Sequence, residues 1–165
     1  MVLTKSELIG SLQHEVNILL HLAGKVDARS ADYRPTAKQR STIDWLRYLT
    51  IMGPELIKAT KAGGFDPAAW TAAEQVSNKL TLDEVKAELA KQKDFYAAEL
   101  GSVSDEFFRS PIEMFGRKTT RGAFLVNTVL CGYAAYRAQI FIYLKTCGRE
   151  ELNTMNLWAG VDSAA

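Results

Sequence analysis

Two histidines are the first residues whose type and spacing could support chemistry. His14 and His21 lie seven residues apart, so on a helix they share one face. Such a pair could bind a metal ion or transfer protons. At 100° per residue, however, the apolar residues of the same segment cluster on the opposite side. We therefore expect His14 and His21 to face solvent or a partner subunit.

The two cysteines offer little nucleophilic chemistry. Cys131 and Cys147 lie on one predicted helix, where sixteen residues span about 24 Å, far beyond the roughly 7 Å that a disulfide allows. Reduced thiols indicate a cytoplasmic location. Cys131 is expected to be an inert packing residue in an apolar stretch, and Cys147 lies at a helix C-terminus, where the dipole disfavours a thiolate. No HExxH, CxxC, GxSxG or glycine-rich phosphate motif is present.

Tyrosines and acids form the more informative pattern. On the last helix a stripe that includes Tyr136 and Tyr143 is predicted to face inward, and on the second helix Tyr48 and two acids follow one edge of the apolar stripe. If the two edges meet, they form either a ligand pocket or a structural hydrogen-bond network, because buried hydroxyls and amides need partners. The candidate pocket residues are Asp44, Tyr48, Glu55, Gly132, Tyr136 and Gln139.

Four long helical patterns would position these residues. Capping-box patterns predict helices starting after Thr4, Ser41 and Thr81, and a fourth starts near Thr119 or Thr120 and ends at Gly148. Gly53-Pro54 predicts a kink or a break in the second helix. The connection 65–78 is long and has room for a short helix, residues 101–118 are expected to be irregular, and no strand pattern competes. We predict one all-α domain over residues 1–165, a four-helix bundle with a long crossover between helices 2 and 3.

Composition and charge exclude several classes of partner. The 165 residues are 47% hydrophobic with a net charge of +1, which suits one globular domain and predicts no binding to nucleic acid. No signal peptide is recognised at the N-terminus. The apolar run 122–144 contains Arg137 and several polar residues, so it is not expected to span a membrane. Because it is apolar on most sides, with a second stripe at Val126, Leu130 and Phe141, we expect a homodimer through this helix.

Three stretches together resemble the DinB-like (DinB/YfiT) family of four-helix bundles. They are Tyr33-Arg34-Pro35 followed by RSTIDWLRYL, the stretch Ile112-Glu113-Met114-Phe115-Gly116, and the ending YRAQIFIYLKTCG, which is similar to the family's H-R-G-Q-x-x-x-Y-L-R-x-x-G. The resemblance runs over roughly residues 6–158. It implies a bundle with a small-molecule site at its centre.

The same resemblance implies where a metal would bind. Family members with a metal use three histidines, one from helix 2 and two spaced i and i+4 on helix 4. These positions fall on Tyr48, Gly132 and Tyr136, so the usual ligands are absent, while Arg137 and Gln139 match the family pattern. Neither a metal nor another cofactor is therefore expected, although carboxylates such as Asp44 and Glu55, with His14, remain an alternative ligand set.

Three functions remain open from the sequence. The first is a DinB-like, non-enzymatic protein that binds an unidentified small molecule or is linked to stress. The second is a metal-independent transferase or isomerase, with Tyr48 or Tyr136 as proton donor and Asp44 or Glu55 as base. The third is a homodimeric interaction module. Whether the chain is an enzyme stays open.

Overall fold

Local sequence signals start each long helix. In the computed structural model, which describes residues 3–163, the side chains of Thr4, Ser41 and Thr81 each close a reciprocal capping box, and Thr120 accepts a hydrogen bond from the backbone N–H of Ala123. The helices are α1 (Lys5–Ala23), α2 (Thr42–Ala62), α3 (Pro67–Ser77), α4 (Leu82–Gly101), α5 (Asp105–Arg109), α6 (Arg121–Phe124), α7 (Cys131–Thr146) and α8 (Thr154–Trp158). The predicted all-α class is confirmed.

The four long helices form a bundle in which sequence neighbours are not always spatial neighbours. α1 packs against α4 and α7, and α2 packs against the same two helices. α1 and α2 therefore lie at opposite corners, joined by the loop 24–41. The long connection between α2 and α4 contains α3, and the connection between α4 and α7 crosses the other diagonal.

The connection from α4 to α6 is more ordered than its sequence indicates. The expectation of an irregular segment without strands is wrong, because residues 101–118 contain α5 and most of a hairpin of β1 (Pro111–Met114) and β2 (Arg117–Thr120). The strands are antiparallel, with Ile112 opposite Thr119. The turn residues Phe115 and Gly116 both have positive φ, the geometry of a tight hairpin turn. Four-residue strands are too short to show a clear alternation of polarity.

α2 runs without interruption through Gly53-Pro54, so the predicted break does not occur. Pro54 has no N–H, which leaves the Thr50 carbonyl without its usual helical donor. The buried Gln92 amide of α4 supplies one, since its Nε2 donates to Thr50 O and to Leu49 O, both at 2.9 Å. A side chain of the neighbouring helix therefore repairs the helix at this point.

Two buried tyrosines complete this arrangement, and we call Gln92, Tyr96 and Tyr133 the Gln92 network. The Tyr96 and Tyr133 hydroxyls donate to Gln92 Oε1 at 3.0 and 2.6 Å and also contact each other. A Cβ atom at Gly53 would lie 2.1 Å and 2.3 Å from the two hydroxyl oxygens, so only glycine leaves room for them. All three side chains are at most 2% exposed.

The last helix differs from its prediction in both shape and orientation. Residues Leu125–Leu130 between α6 and α7 form a π-helical segment, and the buried residues of α7 are Tyr133, Arg137, Ile140, Tyr143 and Leu144. Tyr143 is buried as predicted, whereas Gly132, Tyr136 and Gln139 are only partly buried, so this part of the predicted inward stripe lies at the edge of the buried face. Cys131 is exposed, so its assignment as a packing residue is wrong. A segment apolar on most sides gives periodicity no means of selecting one face.

The C-terminal segment covers the polar face of α1. His14 Nε2 lies 3.0 Å from the Trp158 carbonyl oxygen, and His21 Nε2 lies 2.9 Å from the Asn156 amide nitrogen. His14 remains exposed, as expected, whereas the chain's own tail partly covers His21, so the expectation of a side chain facing solvent or a second subunit is wrong for His21. Within residues 3–163, no helix is long and apolar enough to cross a membrane.

A buried ion pair joins the same tail to the bundle. Arg137 Nε lies 2.8 Å from Glu15 Oε2, with side-chain exposures of 5% and 9%. The Arg137 guanidinium also donates to the Leu157 carbonyl and lies 4.8 Å from the Trp158 ring centroid. Burial raises the pKa of the Glu15 carboxyl, and the Arg137 charge offsets part of that effect. Arg137, the only charge in the apolar run, therefore anchors the C-terminal segment.

Candidate functional site

Aromatic side chains of α2 and α7 meet at the predicted site. The rings of Tyr48 and Tyr136 lie edge to face with centroids 5.5 Å apart, and Trp45 stacks on Tyr136 at 4.4 Å. We call Trp45, Tyr48 and Tyr136 the Trp45 cluster. Trp45 is 9% exposed, whereas the two tyrosines are partly exposed. The cluster therefore has a buried floor and an edge that solvent reaches.

The helix geometry explains why these residues meet. The capping box of Ser41 and Asp44 fixes the start of α2, after which Trp45 and Tyr48 share a face at i and i+3. On α7, Gly132 and Tyr136 share a face at i and i+4. A Cβ atom at Gly132 would lie 3.1 Å from the Met52 sulfur, so the glycine allows α7 to approach α2 closely.

An arginine and a third helix complete the surroundings of the cluster. The Arg40 guanidinium carbon lies 4.5 Å from the Tyr48 ring centroid and 5.2 Å from that of Trp45. Its Nη2 lies 3.7 Å from Glu74 Oε1 of α3, and Trp70 of α3 contacts the Tyr48 ring edge to face at 5.9 Å. α3 therefore forms a wall beside the cluster, and Arg40 lies over its rings.

Two polar groups of the cluster are unusual. Burial raises the pKa of Tyr48 to about 12, the neighbouring Tyr136 adds to this, and the Arg40 charge opposes it. The Trp45 indole N–H is buried and has no acceptor among residues 3–163. A buried donor without a partner costs about 1–3 kcal/mol, so an acceptor brought by a ligand would be favourable here.

The other predicted pocket residues lie apart from the rings or have other partners. Asp44 contacts Ser41, Arg34 and Arg47, and these hydrogen bonds and charges outweigh its partial burial and lower its pKa. Glu55 pairs with Lys58 at 2.7 Å and lines a cavity of about 450 Å³ between α2, α3 and α4. Gln139 is partly buried on α7.

The residues at the positions that the resemblance assigns to metal ligands do not fit a metal. Gly132 has no donor atom, and Met52 fills the space in front of it. Tyr48, with a pKa near 12, stays protonated at neutral pH and is a poor ligand. The alternative set of Asp44, Glu55 and His14 does not assemble, because residues 3–163 contain no group of three or more His, Cys, Asp or Glu side chains suited to a metal.

Sequence reasoning missed part of this site. Trp45 was predicted only as part of an apolar stripe, and nothing in the sequence indicates that Arg40 or Trp70 would reach the same rings. A second cavity of about 580 Å³, lined by Leu8, Phe108 and Val126 among others, lies between α1, α5 and the start of the last helix. It includes none of the predicted pocket residues.

Comparisons with known proteins agree with the fold. The structure is similar to the crystal structure of a DinB-like protein, YjoA, from Bacillus subtilis, with a TM-score of 0.68 and 19% sequence identity over 88% of this chain and 94% of that one. No protein-family model matches the sequence, and no curated protein does. At this identity the similarity concerns the arrangement of the helices. The chain has the DinB-like fold.

Proposed function

We propose that this chain is a metal-free small-molecule-binding protein whose ligand site is the Trp45 cluster. The observation that carries the proposal is the position of Tyr48 and Tyr136, whose rings meet where the resembling family places metal ligands. In this proposal the site keeps its position in the bundle, and its side chains bind a ligand through contacts with their rings. Aromatic residues with a few polar groups are typical of small-molecule sites.

The alternative of a metal-independent transferase receives less support. It requires Asp44 or Glu55 to act as a base beside a tyrosine proton donor. Asp44 instead holds the helix cap and two arginines, and Glu55 pairs with Lys58. A Tyr48 pKa near 12 also makes proton transfer at neutral pH unfavourable. A protein that only binds its ligand needs neither a free carboxylate base nor a tyrosine proton donor.

A melting-temperature screen tests the proposal. Purified protein is heated with small acids, thiols, aromatic compounds and organic cations. A ligand present at one hundred times its Kd stabilises the folded state by about 2.7 kcal/mol, which for a chain of this size raises the melting temperature by roughly 5–10 °C. We expect at least one class of compound to produce such a shift.

Three variants locate the binding. Tyr48→Leu and Tyr136→Leu remove rings of the cluster, whereas Phe107→Leu changes a partly buried ring of α5 that packs on Phe108. A compound that binds the cluster stabilises the Phe107→Leu protein as it does the wild type and loses its effect on the two tyrosine variants. A screen without any stabilising compound, or equal shifts in all variants, contradicts the proposal.

We also propose that the protein is a homodimer through its last helix. Val126, Leu130 and Phe141 are only partly buried, and Ile142, the next residue after Phe141, is 58% exposed. Sedimentation at micromolar concentration is expected to give twice the 18.3 kDa chain mass, with Ile142→Lys shifting it to the monomer. A wild-type monomer contradicts this arrangement. The cytoplasmic location stays a prediction.

A further inference from the structure

The Trp45 cluster already holds a cation of its own chain. The Arg40 guanidinium lies within the roughly 6 Å over which an aromatic face attracts a positive charge, both from Tyr48 and from Trp45. The electron-rich faces of these rings therefore form two walls of an aromatic cage. The cage is selective for the sign of the charge, because its rings attract cations and repel anions.

Arg40 is held there only weakly. Its side chain is 43% exposed, and its acidic partner Glu74 lies 3.7 Å away with 39% exposure. Exposed ion pairs of this kind add little to stability. Arg40 also precedes the Ser41 cap and lies outside any helix, so its side chain can leave the rings without unfolding an element.

The groups left behind suit an external cation. When Arg40 leaves, Glu74 loses its partner, and the faces of Tyr48 and Trp45 are uncovered. The α3 wall that carries Glu74 buries only one residue, Ser77, so a small displacement of α3 has few packing contacts to break. A ligand cation would recover both the ring contacts and the charge pair that Arg40 makes.

We propose that the Trp45 cluster binds an organic cation, of the quaternary ammonium or guanidinium class, which displaces the Arg40 guanidinium. This inference rests on the proposed function and names its ligand class. Weakly hydrated cations with delocalised or shielded charge leave water more readily than a primary ammonium does. Arg40 acts as an internal competitor that keeps the aromatic cage covered when no ligand is present.

The test compares a cation with a neutral molecule of the same shape. Choline chloride and 3,3-dimethyl-1-butanol are titrated by calorimetry into the full chain, with sodium chloride matching the ionic strength. We expect saturable binding of choline and at least tenfold weaker binding of the alcohol. Arg40→Gln, which removes the competitor, is expected to tighten choline binding by about threefold to tenfold. Tyr48→Leu is expected to weaken it by about tenfold, and Tyr48→Phe, which keeps the ring, to preserve it.

The outcomes separate this inference from the proposed function. Equal affinity for the alcohol, or weaker choline binding by Arg40→Gln, overturns the assignment of a cation. If neither choline nor a guanidinium compound binds but a neutral or anionic compound stabilises the wild type and not Tyr48→Leu, the cation class is wrong and the binding site stands. If no compound of any class binds, both fail. Melting temperatures of all variants establish that each is folded.

Discussion

The Gln92 network and the Trp45 cluster both lie between α2 and α7, and each contains two tyrosines. They differ in whether their polar groups have hydrogen-bond partners. In the network, both hydroxyls and the amide have partners, and no side chain exceeds 2% exposure. In the cluster, the rings make the contacts, the Trp45 N–H has no partner among residues 3–163, and one edge is exposed. The first arrangement stabilises the bundle, and the second leaves groups that a ligand can use.

The largest loss of stability is expected from a side chain at Gly53, because this glycine leaves room for the Gln92 network. Gly53→Ala places a methyl group against two tyrosine hydroxyls, at a cost of about 4 kcal/mol from overpacking and broken hydrogen bonds. Gly10→Ala is the matched control, because nothing lies within 4 Å of its Cβ position, and it should stabilise α1 by up to about 1 kcal/mol. Urea unfolding measures both. Equal effects of the two changes would mean that Gly53 is not a packing requirement.

Removing the amide is the next largest change. Gln92→Leu leaves the Thr50 carbonyl without a donor and removes a hydrogen bond to the Leu49 carbonyl, and it should cost about 3 kcal/mol. Gln13→Leu, which removes a single hydrogen bond to Lys93 O at a partly buried position, should cost less than about 1 kcal/mol. Urea unfolding of the two variants makes the comparison.

A double-mutant cycle sharpens this result. Pro54→Ala restores a backbone N–H for the Thr50 carbonyl, so Gln92→Leu should cost about 1 kcal/mol less in that background. The coupling is measured from the four unfolding free energies. Strict additivity would show that Gln92 does not compensate for the proline.

Alkaline pH titrates buried tyrosines of both regions, since burial also raises the pKa of Tyr48 to about 12, so the contribution of the network is isolated by substitution. Burial raises the pKa values of Tyr96 and Tyr133 above 10, so both favour the protonated, folded state. Their stabilisation is complete below pH 10, the unfolded value, and is lost as pH rises toward the folded values, at about 1.4 kcal/mol per pH unit for each tyrosine. Urea unfolding between pH 9 and 11.5 measures the slope. Tyr133→Phe should reduce it, and an unchanged slope contradicts the role of this hydroxyl.

The smallest effect is expected in the cluster. Tyr48→Phe and Tyr136→Phe keep the rings and remove hydroxyls at a partly exposed edge, so each should cost less than about 1 kcal/mol by urea unfolding. Tyr133→Phe in the network is the comparison and should cost more, because its hydroxyl is buried and donates to Gln92. A reversed order would show that the cluster is the structural site.

The sequence predicts what depends on local chemistry. The capping boxes at Thr4, Ser41 and Thr81 fix the helix starts, because each requires only residues three positions apart. The meeting of Tyr48 with Tyr136 follows from the resemblance. The orientation of α7 could not be predicted, because apolar residues lie on most of its sides. Helical periodicity therefore cannot indicate that Tyr133 is more buried than Tyr136. Only tertiary contacts bring Gln92 to the carbonyl that Pro54 leaves without a donor. Tertiary contacts also bring Arg40 to the rings of the Trp45 cluster.

The most direct test of the binding site follows the indole N–H signals by NMR. Wild-type protein is titrated with the compounds that stabilise it, and the Trp45 signal is assigned by its loss in Trp45→Phe. We predict that the Trp45 signal shifts saturably while that of the exposed Trp158 does not, and that Tyr136→Leu abolishes the shift. A stabilising compound that leaves the Trp45 signal unmoved, or moves it equally in Tyr136→Leu, would contradict a ligand site at the Trp45 cluster.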